Sequence, residues 1–281
     1  MSPTRRTSRA LLAFSLLGLT LCFSAPCPGQ DDVWKKIDMG MSWAEFDPAP
    51  RSSEIASKVV VVRVDPRYYT FKLLCASELE KERFTTRGWC EKKNLLAAIN
   101  AGMYQEDGFT NVGYMKNVAH VNNPRLNTTY QAVVAFNRID ATVPEFQIID
   151  LKCQNFRELK TKYETFIQNI RMISCKQENV WSKQDKRWSL AVLGMDTSGN
   201  GLLIFSEGPY SGHDFNNILL SLPISIFNAT YLEGGPQASL YLAANGVELD
   251  KVGTHEVSLD GKRVRAIPRL LPNVIGIVRK F

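Results

Sequence analysis

The sequence predicts an α+β domain: a mixed, largely antiparallel β-sheet core with a few packed helices. Three observations carry this. Short runs rich in β-branched and aromatic residues recur along most of the chain, glycine- and asparagine-rich turns separate them, and two segments place apolar residues at helical spacing. Long connections between many of the strands argue against a simple sandwich. The 281 residues are 44% hydrophobic and 22% charged, which is the composition of a folded chain with a sizeable core and not of a disordered or fibrous one. Neither a Pro/Ser/Gly-rich linker nor an internal repeat interrupts it, so one domain over residues 58–281, after a lead-in over 30–57, is the economical reading.

Residues 1–29 read as a secretory signal peptide. Arg5, Arg6 and Arg9 precede an apolar run from Ala10 to Phe23, and small and turn-forming residues follow, with cleavage after either Ser24 or Gly29. The run is shorter than the roughly 20 residues that span a bilayer, and no later segment approaches that length. The mature chain is therefore expected to be secreted or periplasmic, with no integral membrane segment. Three of the six surplus positive charges belong to this leader. No basic run with interleaved aromatics occurs elsewhere, which argues against a nucleic-acid partner.

In chain order, Lys58–Val64 (KVVVVRV) is a buried-type strand, and Tyr68–Cys75 follows it. Further strands are expected at Leu95–Ile99, Tyr130–Phe136, Phe146–Leu151, Trp188–Leu193, Leu202–Phe205, Ala229–Leu232 and Val274–Val278. Ser239–Leu242 and Val247–Leu249 form a hairpin through Asn245-Gly246. A helix is predicted over Phe156–Ile170, where Leu159, Tyr163, Phe166, Ile167 and Ile170 share one face. A second is predicted over Asp214–Leu222, where Phe215, Ile218, Leu219 and Leu222 do so. The His213-Asp214 pair reads as part of that helix start, with Ser211 or Asp214 as cap, and not as part of a catalytic triad.

If the leader is removed beyond Cys27, four cysteines remain: Cys75, Cys90, Cys153 and Cys175. In an oxidising compartment they predict disulfides in one of three connectivities. The sequential pairing Cys75–Cys90 and Cys153–Cys175 is the first choice because each closes a short loop. No C-x-x-C occurs, and the three histidines, His120, His213 and His255, lie far apart, so zinc is not expected. Asp107 and Asp196 lack any ligand spacing, and neither a metal nor a cofactor is predicted. Asn127 and Asn228 each begin an N-glycosylation pattern, which chance explains in a bacterial source.

Three junctions carry the functional signal. In Ala98-Ile99-Asn100-Ala101-Gly102-Met103-Tyr104 an apolar strand ends in Asn-Ala-Gly, a form that lets backbone approach a ligand. An Arg-led hairpin, opened by Arg187 and closed by Ser206-Glu207, places a cation, a hydroxyl and a carboxylate at one end of a sheet, where a phosphate or sugar fits. The third, Thr230-Tyr231-Leu232-Glu233-Gly234-Gly235-Pro236-Gln237, runs a strand into a carboxylate followed by a glycine turn. The serine-hydrolase elbow, the P-loop, the dinucleotide loop and the zinc-protease motif are all missing.

Taken in order, these junctions resemble the phosphodiester glycosidase domain found in many bacterial exported proteins. The resemblance spans roughly Lys58 to Lys280. It implies hydrolysis of a sugar-1-phosphodiester to free sugar and phosphomonoester, with a carbohydrate or phosphoglycan as partner. It also implies that Asn100 and Gly102 line the site together with Arg187, Ser206 and Gly234, and that Glu207 and Glu233 supply two carboxylates converging with Arg187 on one pocket. The sequence departs from the family's pattern at Glu233, where Asp is usual, and at Pro236 and Gln237, where serines are usual. A non-catalytic glycan- or phosphoglycan-binding protein that retains the cleft is the alternative.

Overall fold

A run of four valines has no polar position to turn toward water, so it forms a strand only where both sheet faces are covered. Val59–Val62 are fully buried in strand β3 (Val59–Val64), between β2 (Met41–Phe46) and β12 (Gly201–Ser206). The structure, a computed structural model, describes residues 33–48, 58–254 and 267–280 besides Met1. The rest of the signal-peptide reading, much of the lead-in, and His255 lie outside the described residues.

The remaining strands are β1 (Lys35–Asp38), β4 (Tyr69–Cys75), β5 (Ala97–Asn100), β6 (Met115–Asn117), β7 (His120–Asn123), β8 (Ala132–Arg138), β9 (Phe146–Asp150), β10 (Tyr163–Ile173), β11 (Leu190–Asp196), β13 (Ile226–Gly234), β14 (Ser239–Ala244), β15 (Val247–Val252) and β16 (Asn273–Arg279). They build two sheets instead of one. The larger runs β1-β2-β3-β12-β11-β13-β10-β6-β7, with β8 also on β10 and β9 on β8; the smaller runs β15-β14-β5-β16-β4. Every strand pair among the described residues is antiparallel.

The sheets face one another across a shared core in which Val60, Val62 and Phe205 meet Phe71, Ile99, Leu240 and Ile275. Helix α3 (Gly212–Ser221) packs Phe215 and Leu219 against Val59 and Val61 on the outer face of the larger sheet. Ser211 is its cap, accepting from the Asp214 amide. Helix α1 (Thr86–Lys93), which sequence periodicity missed, covers the smaller sheet with little more than Trp89 and Cys90. Thr85 caps it at one end and left-handed Asn94 ends it at the other.

The predicted helix over Phe156–Ile170 is overturned. Only Phe156–Leu159 is helical, as α2, and Tyr163–Ile173 is the long strand β10. Its apolar residues satisfy a helical spacing only because both faces of this strand are buried: the sequence neighbours Phe166 and Ile167 enter different clusters, as strand alternation requires. The aromatic and β-branched content of YETFIQNIRMI favours the strand once β6, β8 and β13 are there to pair with it.

Cys153 and Cys175 form the expected disulfide across a separation of 22 residues. Cys75 and Cys90 do not pair: both thiols are free and buried. Cys75 points into the core between the sheets, where its Sγ lies 3.8 Å from the Met115 Sδ, and Cys90 sits under α1 in a separate cluster. Burial pushes the Cys90 thiol up to about 12 and raises Cys75 as well, so neither offers a thiolate. Reduction of the Cys153–Cys175 bond is expected to cost about 3 kcal/mol, lowering the melting temperature by about 10 °C in a calorimetric scan with and without dithiothreitol. Iodoacetamide is expected to modify Cys75 and Cys90 only after unfolding, read by peptide mass.

Candidate active site

Strand β5 ends at Asn100, whose buried side chain ties two loops together. Its Nδ2 donates to the Gln237 carbonyl (2.9 Å) and its Oδ1 accepts from the Ser239 amide (2.8 Å). The first and third junctions are thereby joined. Beyond Asn100, the Asn169 side chain of β10 donates to the Ala101 carbonyl at 2.8 Å. Gly102 has no room for a side chain, since a Cβ there would collide with the Oδ1 atoms of Asn169 and Asn111.

Gln168, the neighbour of Asn169 on β10, serves the opposite loop. Its Oε1 accepts from the Tyr114 and Asn127 amides, and its Nε2 donates to the Asn127 and Tyr130 carbonyls. This fixes the segment carrying Tyr130. Gln168 and Asn169 carried no functional signal in the sequence because both fall inside the expected helix.

Glu233 lies near the end of β13, at an irregularity. Ala191 pairs with Glu233 but the next residue, Val192, pairs with Tyr231, so Leu232 is an extra residue in the strand. Such a bulge re-aims side chains. The Glu233 side chain is almost enclosed, at 9% exposure, and its carboxylate accepts one hydrogen bond from the Gly234 amide (3.0 Å). Burial raises its pKa to about 7, with the Gly234 bond opposing only in part.

The Glu233 charge acts on three phenols, Tyr104, Tyr130 and Tyr231, each raised first by burial and then by Glu233. Gln237 hydrogen-bonds Tyr104, and Arg83 and Arg269 act on the same phenol. Trp181 stands 5.7 Å from the Tyr231 ring, and a Cβ on Gly234 would collide with the Tyr231 hydroxyl and the Trp188 indole. The result is a chamber walled by tyrosines and tryptophans around one carboxyl group.

The other expected members stand elsewhere. Glu207 pairs with Lys251, which also reaches Glu45, and Glu45 binds Lys58. This four-charge network ties together segments of both sheets and, among the described residues, shares no partner with Glu233. Ser206 is completely buried and donates to the Gly208 carbonyl. Arg187 is exposed. Its field falls on Asp214, whose carboxyl, against the opposing effect of burial, is held below its ordinary value by Ser211, His213 and Arg187. Among the described residues neither Arg187 nor Glu207 makes a hydrogen bond or ion pair with Glu233. The hairpin does bring Arg187 and Ser206-Glu207 to one end, as expected, but the carboxylate there is already taken by a lysine.

Asp107 and Asp196 are turn residues, each bonded to nearby backbone amides. Asp150, Cys153 and Cys175 cluster closely, but the two sulfurs are bonded to each other and Asp150 accepts from Arg171 and two amides. Asn228 is buried with its Nδ2 donating to the Ile148 carbonyl, so its N-glycosylation pattern is sealed in the core. Among the described residues no helix is long and apolar enough to cross a membrane.

The model of the phosphodiester glycosidase family matches residues 93–278. The chain belongs to that family. This phosphodiester glycosidase domain is accordingly a hydrolase acting on glycosyl bonds. The zebrafish N-acetylglucosamine-1-phosphodiester alpha-N-acetylglucosaminidase catalytic domain, auto-inhibited by its pro-peptide, is similar in fold: TM-score 0.58 and 14% identity, over 84% of this chain and 81% of that one. A hypothetical protein from Synechocystis is similar at TM-score 0.57 and 14% identity, over 86% of this chain and 62% of that one. No curated protein matches the chain by sequence.

Proposed function

We propose that this glycosidase is exported and hydrolyses the bond between a sugar's anomeric carbon and a phosphate oxygen, releasing free sugar and a phosphomonoester. The single observation behind the reading is Glu233: an almost enclosed carboxyl group with a pKa near 7, in an aromatic chamber built where the Asn-Ala-Gly and Glu-Gly-Gly junctions meet.

A phosphate departs without strong acid assistance, so the chemistry demands charge handling more than protonation of the leaving group. The developing oxocarbenium-like sugar needs a negative charge nearby, and water needs a base; ionised Glu233 answers to both descriptions. Enclosure strengthens that charge by excluding water. The phenols of Tyr104 and Tyr130 can donate to sugar hydroxyls, and Arg83 and Arg269, on the Tyr104 side, supply positive potential for the phosphodiester. Export rests on the basic and apolar leader.

Incubation of the mature protein with a panel of sugar-1-phosphodiesters tests the reading. Release of reducing sugar together with phosphomonoester is the expected result, and binding without turnover across the panel would favour the non-catalytic alternative. In the same assay Glu207→Gln is expected to lower kcat/KM by less than about fivefold, the factor that matches the about 1 kcal/mol at most contributed by a partly exposed ion pair. A collapse of activity in that variant would return Glu207 to the catalytic machinery.

A further inference from the structure

Beside the aromatic enclosure of Glu233 lies an open cavity of about 290 Å³, lined in part by Thr129, Gln131, Arg171, Trp181, Ser182 and Gln184. Trp181 lines the cavity and stacks near Tyr231 of the chamber, while Tyr130, whose phenol feels Glu233, lies between Thr129 and Gln131 in the chain.

The hydrogen-bonding capacity left over in the cavity is informative. The Thr129 hydroxyl donates to Asn127 and the Gln131 amide donates to the Thr128 carbonyl, so both still accept. Ser182 is exposed at the cavity's edge. Arg171 spends one guanidinium nitrogen on both carboxylate oxygens of Asp150, at 2.8 and 3.0 Å, and its remaining N–H groups meet no acceptor among the described residues. The Arg171 charge is thus neutralised while donors stay open. Trp181 is held in place, its Nε1 donating to the Arg171 carbonyl (2.7 Å) and its amide to Asn179 (3.1 Å).

An anion asks for donors and uncompensated positive charge; a hydroxyl both donates and accepts. A mixed set of donors and acceptors with its one lining cation cancelled, around a fixed indole, matches a neutral ring of hydroxyls with an apolar C–H face. We propose that this cavity is a subsite for a neutral hexopyranose unit, so that the substrate is a glycan extending beyond the scissile linkage and not a single sugar phosphodiester. The proposal rests on the glycosidase reading for its account of the neighbouring chamber.

Titration of the full mature protein with methyl hexopyranosides, read by tryptophan fluorescence and calorimetry, tests it. At least one neutral sugar is expected to bind with Kd on the order of 1 mM, while inorganic phosphate gives no saturable change. Gln131→Ala and Ser182→Ala are expected each to weaken binding about fivefold, the loss of one hydrogen bond, with no change in melting temperature. Absence of binding across the panel would overturn the subsite, as would binding that phosphate matches or that both variants leave intact. The parent protein separates the two readings: sugar binding without turnover of any sugar-1-phosphodiester removes the glycosidase reading alone, and turnover without sugar binding removes the subsite alone.

Discussion

Glu233→Gln is expected to reduce kcat/KM for a sugar-1-phosphodiester by about a thousandfold, within the range associated with loss of a positioned base, and to leave a residual rate without pH dependence near neutrality. With Glu233 as the proposed base the active form is the ionised carboxylate, so in the parent kcat/KM is expected to rise with pH through about 7 and then level. A bell falling above pH 7 would instead assign Glu233 as an acid.

The same substitution has a second, independent signature in stability. The folded-state pKa of Glu233 is raised to about 7 from an ordinary 4.5. A group raised in the folded state contributes its full stability below the unfolded pKa and loses it as pH rises through the folded one. The parent is therefore expected to lose about 3 kcal/mol relative to Glu233→Gln between pH 4.5 and 7, with the gap constant above that window. Urea unfolding at pH 4, 6 and 8 measures it. A gap that does not grow over this interval would mean that Glu233 is not enclosed as described, whatever the activity shows. Glu233→Asp shortens the side chain to the length usual in the family, and because a displacement of about 1 Å can change rates about a hundredfold, its activity reports whether the bulge at Leu232 compensates for the longer acid.

Much of the fold was legible because strand burial writes itself into residue type. The valines of β3 and the Asn-Gly hairpin between β14 and β15 carry their reasons locally, in branching and turn chemistry. β10 was misread because periodicity records only which residues are buried, and a strand buried on both faces contains the helical spacing as a subset. The division into two sheets follows from pairings between residues far apart in sequence, which no local pattern encodes.

The site divides in the same way. Asn100, Gly102, Glu233 and Gly234 were visible as residues whose type fits a strand end at a ligand, and the structure gathers them. Arg187 and Glu207 were visible for equally good local reasons, but charge at a sheet end is chemically ambiguous: an ion-pair network and an anion site call for the same residues. The presence of Lys251 beside Glu207 is a tertiary fact. Tyr104 and Tyr231 fall within the junctions and Tyr130 at the start of an expected strand, but none was assigned a role, since an aromatic residue in a β-rich sequence is ordinarily core.

Asn100→Ala is the second substitution expected to have a large effect, although Asn100 meets neither water nor a charged group. At 2% exposure it supplies the only described partner of the Ser239 amide and a bond to the Gln237 carbonyl. Truncation leaves two buried backbone groups unpaired, each costing about 1–3 kcal/mol, and the protein is expected to melt about 10 °C lower. The bonds also set the distance between the Asn-Ala-Gly turn and the loop from Gly234 to Ser239, which carries Gln237 against Tyr104. Their loss frees that loop relative to Glu233, so kcat/KM is expected to fall about a hundredfold even at temperatures where the variant is fully folded. Asn100→Asp discriminates packing from hydrogen bonding. It preserves volume and the acceptor for Ser239 but removes the donor to Gln237 and buries a carboxyl group, so it should be no more active than the alanine variant if the two bonds are what matter. An Asn100→Ala protein with parental melting temperature and parental kcat/KM would show that the two junctions hold their positions without this side chain, and that the chamber around Glu233 is organised from β10 alone.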